Sequence, residues 1–341
     1  MAGYTPGEQP KPGDVVIKLN TNENPYPPSP RVFEAIRATS ADALRRYPSP
    51  MADEFRRVAA RVHGVSVDQV LAGNGSDDVL QIALRTYCGA GDVLASPDPT
   101  YSLYPVLAEL ADVRFVTVPW GPAWTLPVDA LLATNPRTIF FANPNAPSGT
   151  WVEPDAISAL ASRTDALVLV DEAYVDFAEQ SCLSLVAAHE NVLVSRTLSK
   201  GYGLAGLRFG YAIGHPSLIE QMTKVKDSYN CDAVAIAAAA AALDDQAYAR
   251  EQWAKVKAER TRVTGALAAR GFDVIPSLGN FVLATLPGAR YAKPVYEGMK
   301  GRGVLVRFFD KPGLSDKLRI SIGTPDENEA MLAALDASLR S

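Results

Sequence analysis

One lysine, Lys200, stands between a hydroxyl-rich turn and a glycine-rich turn in the stretch Ser195-Arg-Thr-Leu-Ser-Lys-Gly-Tyr-Gly-Leu-Ala-Gly-Leu-Arg208. A primary amine presented in this way is suited to holding a cofactor covalently. The apolar run Val192 to Val194 reads as a short buried strand that delivers it. Gly201, Gly203 and Gly206 are expected to let the backbone approach a ligand. The hydroxyls of Ser195, Thr197 and Ser199, with the cation of Arg208, are placed to meet a phosphate. Taken alone, the stretch is equally a surface loop that happens to contain a lysine.

Other segments converge on the same chemistry. Asp171 follows the run Ala166-Leu-Val-Leu-Val170, so its carboxylate is expected at the end of a buried strand, where an unpaired charge is costly. A protonated pyridine nitrogen would partner it and make the ring an electron sink. Tyr174 would donate to a phenolic oxygen on the same ring; the alternative is that Asp171 caps a helix and Tyr174 is core. Gly73-Asn-Gly-Ser-Asp-Asp78 precedes the helical stretch Val79 to Tyr87, so backbone N–H groups there would face an anion, although glycine turns before helices are common. Tyr101 offers an aromatic face for stacking or ordinary loop packing. Arg319, in Lys317-Leu-Arg-Ile-Ser-Ile-Gly323, and Arg307, in Gly303-Val-Leu-Val-Arg-Phe-Phe309, suit capture of substrate anions or plain ion pairs.

The elements that must position these groups follow from periodicity. From about Tyr47 to Asp244, helical segments alternate with apolar runs at Asp92–Ala95, Val113–Val118, Thr138–Ala142, Ala166–Val170, Val192–Val194 and Leu207–Ile213, the pattern of an α/β domain around a mostly parallel sheet. The loops after several runs, Ser96 to Tyr101, Asn143 to Gly149, Asp171 to Tyr174 and Ser195 to Gly201, would share one site at the strands' carboxyl ends. Ala233 to Ala242 reads as a buried helix capped by Asp232. Beyond Asp245 come a charged helix through Arg270, strand-like Phe281–Ala284, Val304–Phe308 and Leu318–Ile322, and a closing helix from Asp326, together a smaller α+β domain. The expected division is an arm plus part of the small domain at 1–45, a large domain at 46–245 and a small domain at 246–341, with a cleft between the domains. Residues 1–14 read as a loose arm without the blocks of a signal peptide.

Composition narrows the function class. The 341 residues, 48% hydrophobic with net charge −5, describe a globular chain without the basic footprint of a nucleic-acid binder. No run is long enough to span a membrane as a helix. The 3 histidines, His63, His189 and His215, have no ligand spacing, so neither a metal site nor a Ser-His-Asp triad is expected. Cys88, Cys182 and Cys231, odd in number, suit a reducing cytoplasm.

In order and spacing, these segments, with Leu19-Asn-Thr-Asn-Glu-Asn-Pro-Tyr26 and Arg46-Tyr-Pro-Ser-Pro50, resemble the class I/II aminotransferases, fold type I pyridoxal-phosphate enzymes, and within them the histidinol-phosphate aminotransferases. The resemblance spans nearly the whole chain and implies a mostly parallel seven-stranded sheet in the large domain, pyridoxal 5'-phosphate as cofactor and no metal. By position it makes Lys200 the Schiff-base lysine and base, Asp171 the partner of the pyridine nitrogen, Tyr174 a donor to the phenolic oxygen and Tyr101 the stacking aromatic. Gly75, Ser76, Asp77, Thr197, Ser199 and Arg208 become the phosphate cradle. Tyr47 becomes a residue lent across a homodimer interface, Arg319 the substrate-carboxylate arginine, and Asn22, Tyr26 and Arg307 neighbours of the substrate's distal end. The chain departs from the family at Ala146, where an asparagine is usual, and Asn145 or Asn143 is the expected substitute. The implied reaction passes an amino group from histidinol phosphate to 2-oxoglutarate in a cytoplasmic enzyme. Rival readings are an aromatic amino acid aminotransferase, a phosphoamino-acid decarboxylase and a non-catalytic cofactor-binding regulator.

Overall fold

The continuous apolar runs become strands buried on both faces. A computed structural model describes residues 7–11, 13 and 15–340; the remaining part of the expected arm lies outside the described residues. Seven strands form one sheet in the order Val70–Gly73, Gly210–Gly214, Val192–Thr197, Leu167–Asp171, Thr138–Ala142, Val93–Asp98, Arg114–Pro119. Gly210–Gly214 runs antiparallel to both neighbours and the other pairs are parallel. Successive residues feed opposite faces: Val168, Val170, Val192 and Val194 join one core cluster, whereas Leu167, Leu169 and Leu193 join another. Such double coverage is why these strands read as unbroken hydrophobic runs.

Two elements differ from expectation. The run Leu207–Ile213 starts extended pairing only at Gly210, because Arg208 adopts the left-handed region at φ 57° and breaks the strand. The run Val304–Phe308 divides: Val304–Leu305 pairs in parallel with Ile17–Lys18, while Arg307–Phe308 pairs antiparallel with Lys317–Ser321. The edge strand Val70–Gly73 was not among the expected runs; it has only 4 residues and ends in the glycine turn.

The smaller layer holds a 4-stranded sheet in the order Arg307–Phe308, Lys317–Ser321, Phe281–Thr285, Asp273–Ile275. Helices Lys293–Gly301 and Pro325–Leu339 and the long helix Gln246–Ala268 pack on its core. The N-terminal stretch splits between the layers. Leu19 enters the smaller core, whereas helix Pro30–Ala38 buries Val32 in the large one and packs against helix Ala233–Asp244. That alanine-rich helix is capped by Asp232, whose side chain accepts from the Ala235 N–H at 2.8 Å.

No described helix is long and apolar enough to cross a membrane. The histidines have structural partners: His63 meets the Tyr211 hydroxyl at 2.8 Å, His189 meets Ser158 at 2.7 Å, and His215 caps helix Pro216–Val225. Burial holds His63 down at about 3, so it stays neutral.

Candidate active site

The parallel strands Val93–Asp98, Thr138–Ala142, Leu167–Asp171 and Val192–Thr197 end on one edge, so the loops that follow meet around a cavity of about 280 Å³. Lys200, Asp171, Tyr174, Tyr101, Ser76, Asp77, Thr197, Ser199, Arg208, Arg319 and Asn22 all line it. Lys200 Nζ donates to the Thr21 carbonyl at 2.9 Å. Burial, reinforced by Arg319, lowers its amine to about 8, with Glu23 and Asp77 opposing the shift. A usable fraction of neutral amine, and hence of nucleophile and base, is therefore present near neutral pH.

Asp171 closes the floor. Ser195 Oγ donates to its Oδ1 at 3.0 Å and the Tyr104 hydroxyl to its Oδ2 at 3.1 Å. Burial raises its carboxyl to about 6, which these two hydroxyls only partly offset. A carboxylate this deep, whose protein donors are neutral, suits a cationic heteroatom presented from the cavity. Tyr104 itself is completely buried and was not singled out in the sequence; its partner lies 67 positions away.

An anion cradle faces the other end. The helix Ser76–Tyr87 begins behind Gly75, whose φ of 90° and lack of side chain bring it against Arg208: a Cβ there would lie 2.7 Å from Nη2. Arg208 is loosely held by Asp77 at 3.3 Å and Ser199 at 3.4 Å. Thr197 Oγ1 accepts the Ser199 N–H at 3.1 Å, shaping the turn. A buried acid, a buried amine and a phosphate-sized nest of N–H, hydroxyl and guanidinium donors fit pyridoxal 5'-phosphate.

Several expected roles land elsewhere. Gly201 and Gly203 do not make room for a ligand: a Cβ on Gly201 would lie 2.0 Å from Asp176 Oδ2, and one on Gly203 2.9 Å from the Tyr26 carbonyl. These glycines admit neighbouring protein, and Gly206 has nothing within 4 Å. Asn145 is committed to its own loop, donating to Ser148 Oγ at 2.8 Å and to the Pro99 carbonyl at 3.3 Å, and the cavity wall beside it is Ala146. Asn143 binds the Val152 backbone in both directions. The Nδ2 of each asparagine is engaged within the loop that turns the chain, and Ala146 is the residue of that loop which lines the cavity.

Asn22 donates to the Tyr174 hydroxyl at 3.0 Å and accepts from Ser321 Oγ at 3.0 Å. Tyr26 packs on the smaller core with Lys255 above its ring, outside the cavity lining. Arg307 lines an adjoining cavity of about 220 Å³ that shares Tyr101, Ala146 and Arg319 with the first. Tyr47 is 80% exposed and stacks on Tyr229 with ring centroids 4.3 Å apart. Gly7 and Gln9 of the arm also line the cavity, held by Asn20 on the Glu8 carbonyl and by a Lys300–Glu8 ion pair. Beside Asp171, Glu172 forms a buried pair with Arg196 at 2.7 Å and binds Ser181, which fixes the loop after the strand.

A model of the aminotransferase class I and II family matches residues 14–335. The chain is 48% identical over 340 residues to histidinol-phosphate aminotransferase 1 of Trichormus variabilis, covering 100% of this chain and 97% of that one. To the histidinol-phosphate aminotransferase of Rhodopirellula baltica it is 45% identical over 343 residues, covering 100% and 94%. Among solved structures, the histidinol-phosphate aminotransferase from Sinorhizobium meliloti in complex with pyridoxal-5'-phosphate superposes with a TM-score of 0.88 at 29% identity, covering 95% of this chain and 90% of that one. The architecture is accordingly that of the fold type I aminotransferases. With its sequence matched almost end to end, the chain belongs to the class I and II aminotransferase family and is a pyridoxal-phosphate-dependent transaminase that takes an amino donor and a 2-oxo acid.

Proposed function

We propose that the amino donor is histidinol phosphate and that 2-oxoglutarate receives its amino group, giving imidazole acetol phosphate and L-glutamate, a step of histidine biosynthesis. The observation that carries this reading is the adjoining cavity: Arg307, Lys311 and Arg319 gather there beside the ring of Phe309. Three cations at the far end of the site match a phosphomonoester, and the aromatic wall matches a flat imidazole. A phenylalanine or tyrosine donor presents in place of the phosphate only a singly charged carboxylate, which lies closer to the amine-bearing carbon and matches three cations less well. The relatives that match the chain along its whole length bear the same activity in their names.

Pyridoxal phosphate, when bound, supplies an aldehyde that bonds a primary amine and a ring that accepts electrons released at the donor's α-carbon. In this reading the rest falls to the chain's own groups. Arg208, Ser199, Thr197 and the N–H groups after Gly75 bind the cofactor's phosphate, and Tyr101 covers the ring face. Asp171, oriented by Tyr104 and Ser195, holds the proton on the ring nitrogen. Tyr174, steadied by Asn22, donates to the phenolic oxygen. Lys200 Nζ would take the proton from the donor's α-carbon and return it across the intervening nitrogen, at the cofactor's C4′. Arg319, wedged between Phe281 and Phe309 at 5.3 and 5.5 Å, orients the anionic substrate.

Arg307→Ala is expected to lower kcat/KM for histidinol phosphate about 30- to 100-fold, with a change under about threefold for phenylalanine, because the lost contact is charge-assisted and reaches the longer, doubly charged phosphate rather than the shorter carboxylate. Steady-state turnover of both donors decides; an equal loss for both would sink the phosphate assignment, and release of carbon dioxide would favour the decarboxylase reading.

The exposed Tyr47–Tyr229 stack supports a homodimer in which Tyr47 completes the site of a second copy, since exposed aromatic pairs commonly mark an interface. Tyr47→Ala should weaken both cofactor retention and dimerisation, read by dialysis and analytical ultracentrifugation. A wild-type protein that sediments as a monomer at micromolar concentration contradicts it. A cytoplasmic location agrees with three unpaired thiols.

A further inference from the structure

The turn that carries Lys200 is gripped from three directions by parts of the chain distant in sequence. Asn24 Nδ2 donates to the carbonyls of both Lys200 and Gly201 at 3.0 Å, and its Oδ1 accepts the Tyr26 N–H at 3.1 Å, so the whole amide is engaged. Trp253, on the long helix Gln246–Ala268, donates its indole N–H to the Gly201 carbonyl at 2.8 Å. Asp176 presses on Gly201 from below, and the Tyr26–Pro28 backbone on Gly203.

The amine of the same lysine rests on the Thr21 carbonyl, three residues before Asn24. One tetrapeptide, Thr21 to Asn24, thus touches Lys200 at both its main chain and its Nζ. That tetrapeptide is itself anchored in the smaller layer: Ser321 Oγ accepts the Asn22 N–H at 2.9 Å and Asn280 donates to the Asn22 carbonyl at 2.9 Å.

We propose that Asn24 and Trp253 are positioning residues that clamp the Lys200–Gly201 peptide and reference the lysine's amine to the smaller domain. This rests on reading Lys200 as the cofactor-bearing base. A proton must pass between two carbons from one amine, and about 1 Å of misplacement of a reacting group can cost about a hundredfold. Four methylene groups leave the amine free to wander unless its backbone origin is held. Asn24 and Trp253 hold that origin, and Thr21 gives the amine a fixed rest from which to act.

The test uses the holoenzyme of wild type, Asn24→Ala, Asn24→Asp and Trp253→Phe. Asn24→Asp keeps the shape without an N–H to give, and Trp253→Phe keeps a ring beside Tyr202. Three readouts are taken: the pH midpoint of the cofactor's visible band, the split between kcat and KM, and the melting temperature of the cofactor-stripped proteins. All variants should move the midpoint by about 0.5 pH unit or more, and the Asn24 variants should lose about tenfold in kcat with KM within about threefold. An unmoved midpoint with wild-type kcat, or Asn24→Asp behaving as wild type, overturns the clamp even if melting falls. Should the Asn24 variants fail to fold, Trp253→Phe alone decides by its midpoint. A wild-type protein without any such band would instead overturn the role given to Lys200.

Discussion

Lys200→Ala is expected to lose the visible band of the bound cofactor and to reduce kcat by at least about 10³-fold, since the proposed mechanism makes a single residue both covalent anchor and base. The buried position sets how this chemistry depends on pH. An ordinary lysine titrates near 10.5, but burial and Arg319 bring this amine to about 8. The nucleophilic form is the neutral one, so the rate at which cofactor-stripped protein regains its band should rise through about pH 8 and level off above it. Stopped-flow absorbance across pH 6 to 10 measures this. A midpoint close to the ordinary value would mean that the amine is not held in the dry, cation-flanked position that the structure shows.

Asp171→Asn is expected to separate function from stability. Activity should fall about 10²- to 10³-fold, because a neutral amide cannot hold the proton on the ring nitrogen and the ring then draws electrons poorly. Stability should move the other way in the cofactor-stripped protein. The folded chain holds the Asp171 proton up to about 6, against an ordinary 3.8, so the unfolded chain releases it first. The burden is therefore absent below about pH 4, grows as pH rises through 6, and amounts to something on the order of 3 kcal/mol above that. Removing the charge removes the burden. The stripped variant should melt above stripped wild type at pH 8 and level with it at pH 4. Equal melting at pH 8 together with full activity would sink the role given to Asp171. The pattern is that of a site where folding and chemistry make opposite demands.

The local sequence was a sufficient guide to where Lys200 and Asp171 would sit. Each follows a run of alternating inward residues, and a strand buried on both faces can end only where a polar group meets a loop; the parallel order of the runs then brings those loops together. The same reasoning failed at Gly201 and Gly203, because a missing Cβ shows that something comes close without showing what does; here it is Asp176 and the Tyr26–Pro28 backbone. At Asn145, beside the vacated position, the side-chain nitrogen serves its own turn through bonds to Pro99 and Ser148, which adjacency in sequence did not reveal.

Tyr104 and Trp253 carried no signal, and Asn24, though inside a segment that carries the resemblance, had no role to read from it. Their partners lie 67, 52 and 176 positions away, and a hydrogen bond across such a distance leaves no periodicity in the chain. Sequence alone indicated the fold class, through its burial pattern, and the cofactor and candidate reacting groups, through the resemblance that its motifs carry. Tertiary structure alone decided which hydroxyls orient the acid, what holds the lysine still and how the cations divide between two adjoining cavities. Directional contacts between distant segments exist only once the two layers have packed against each other.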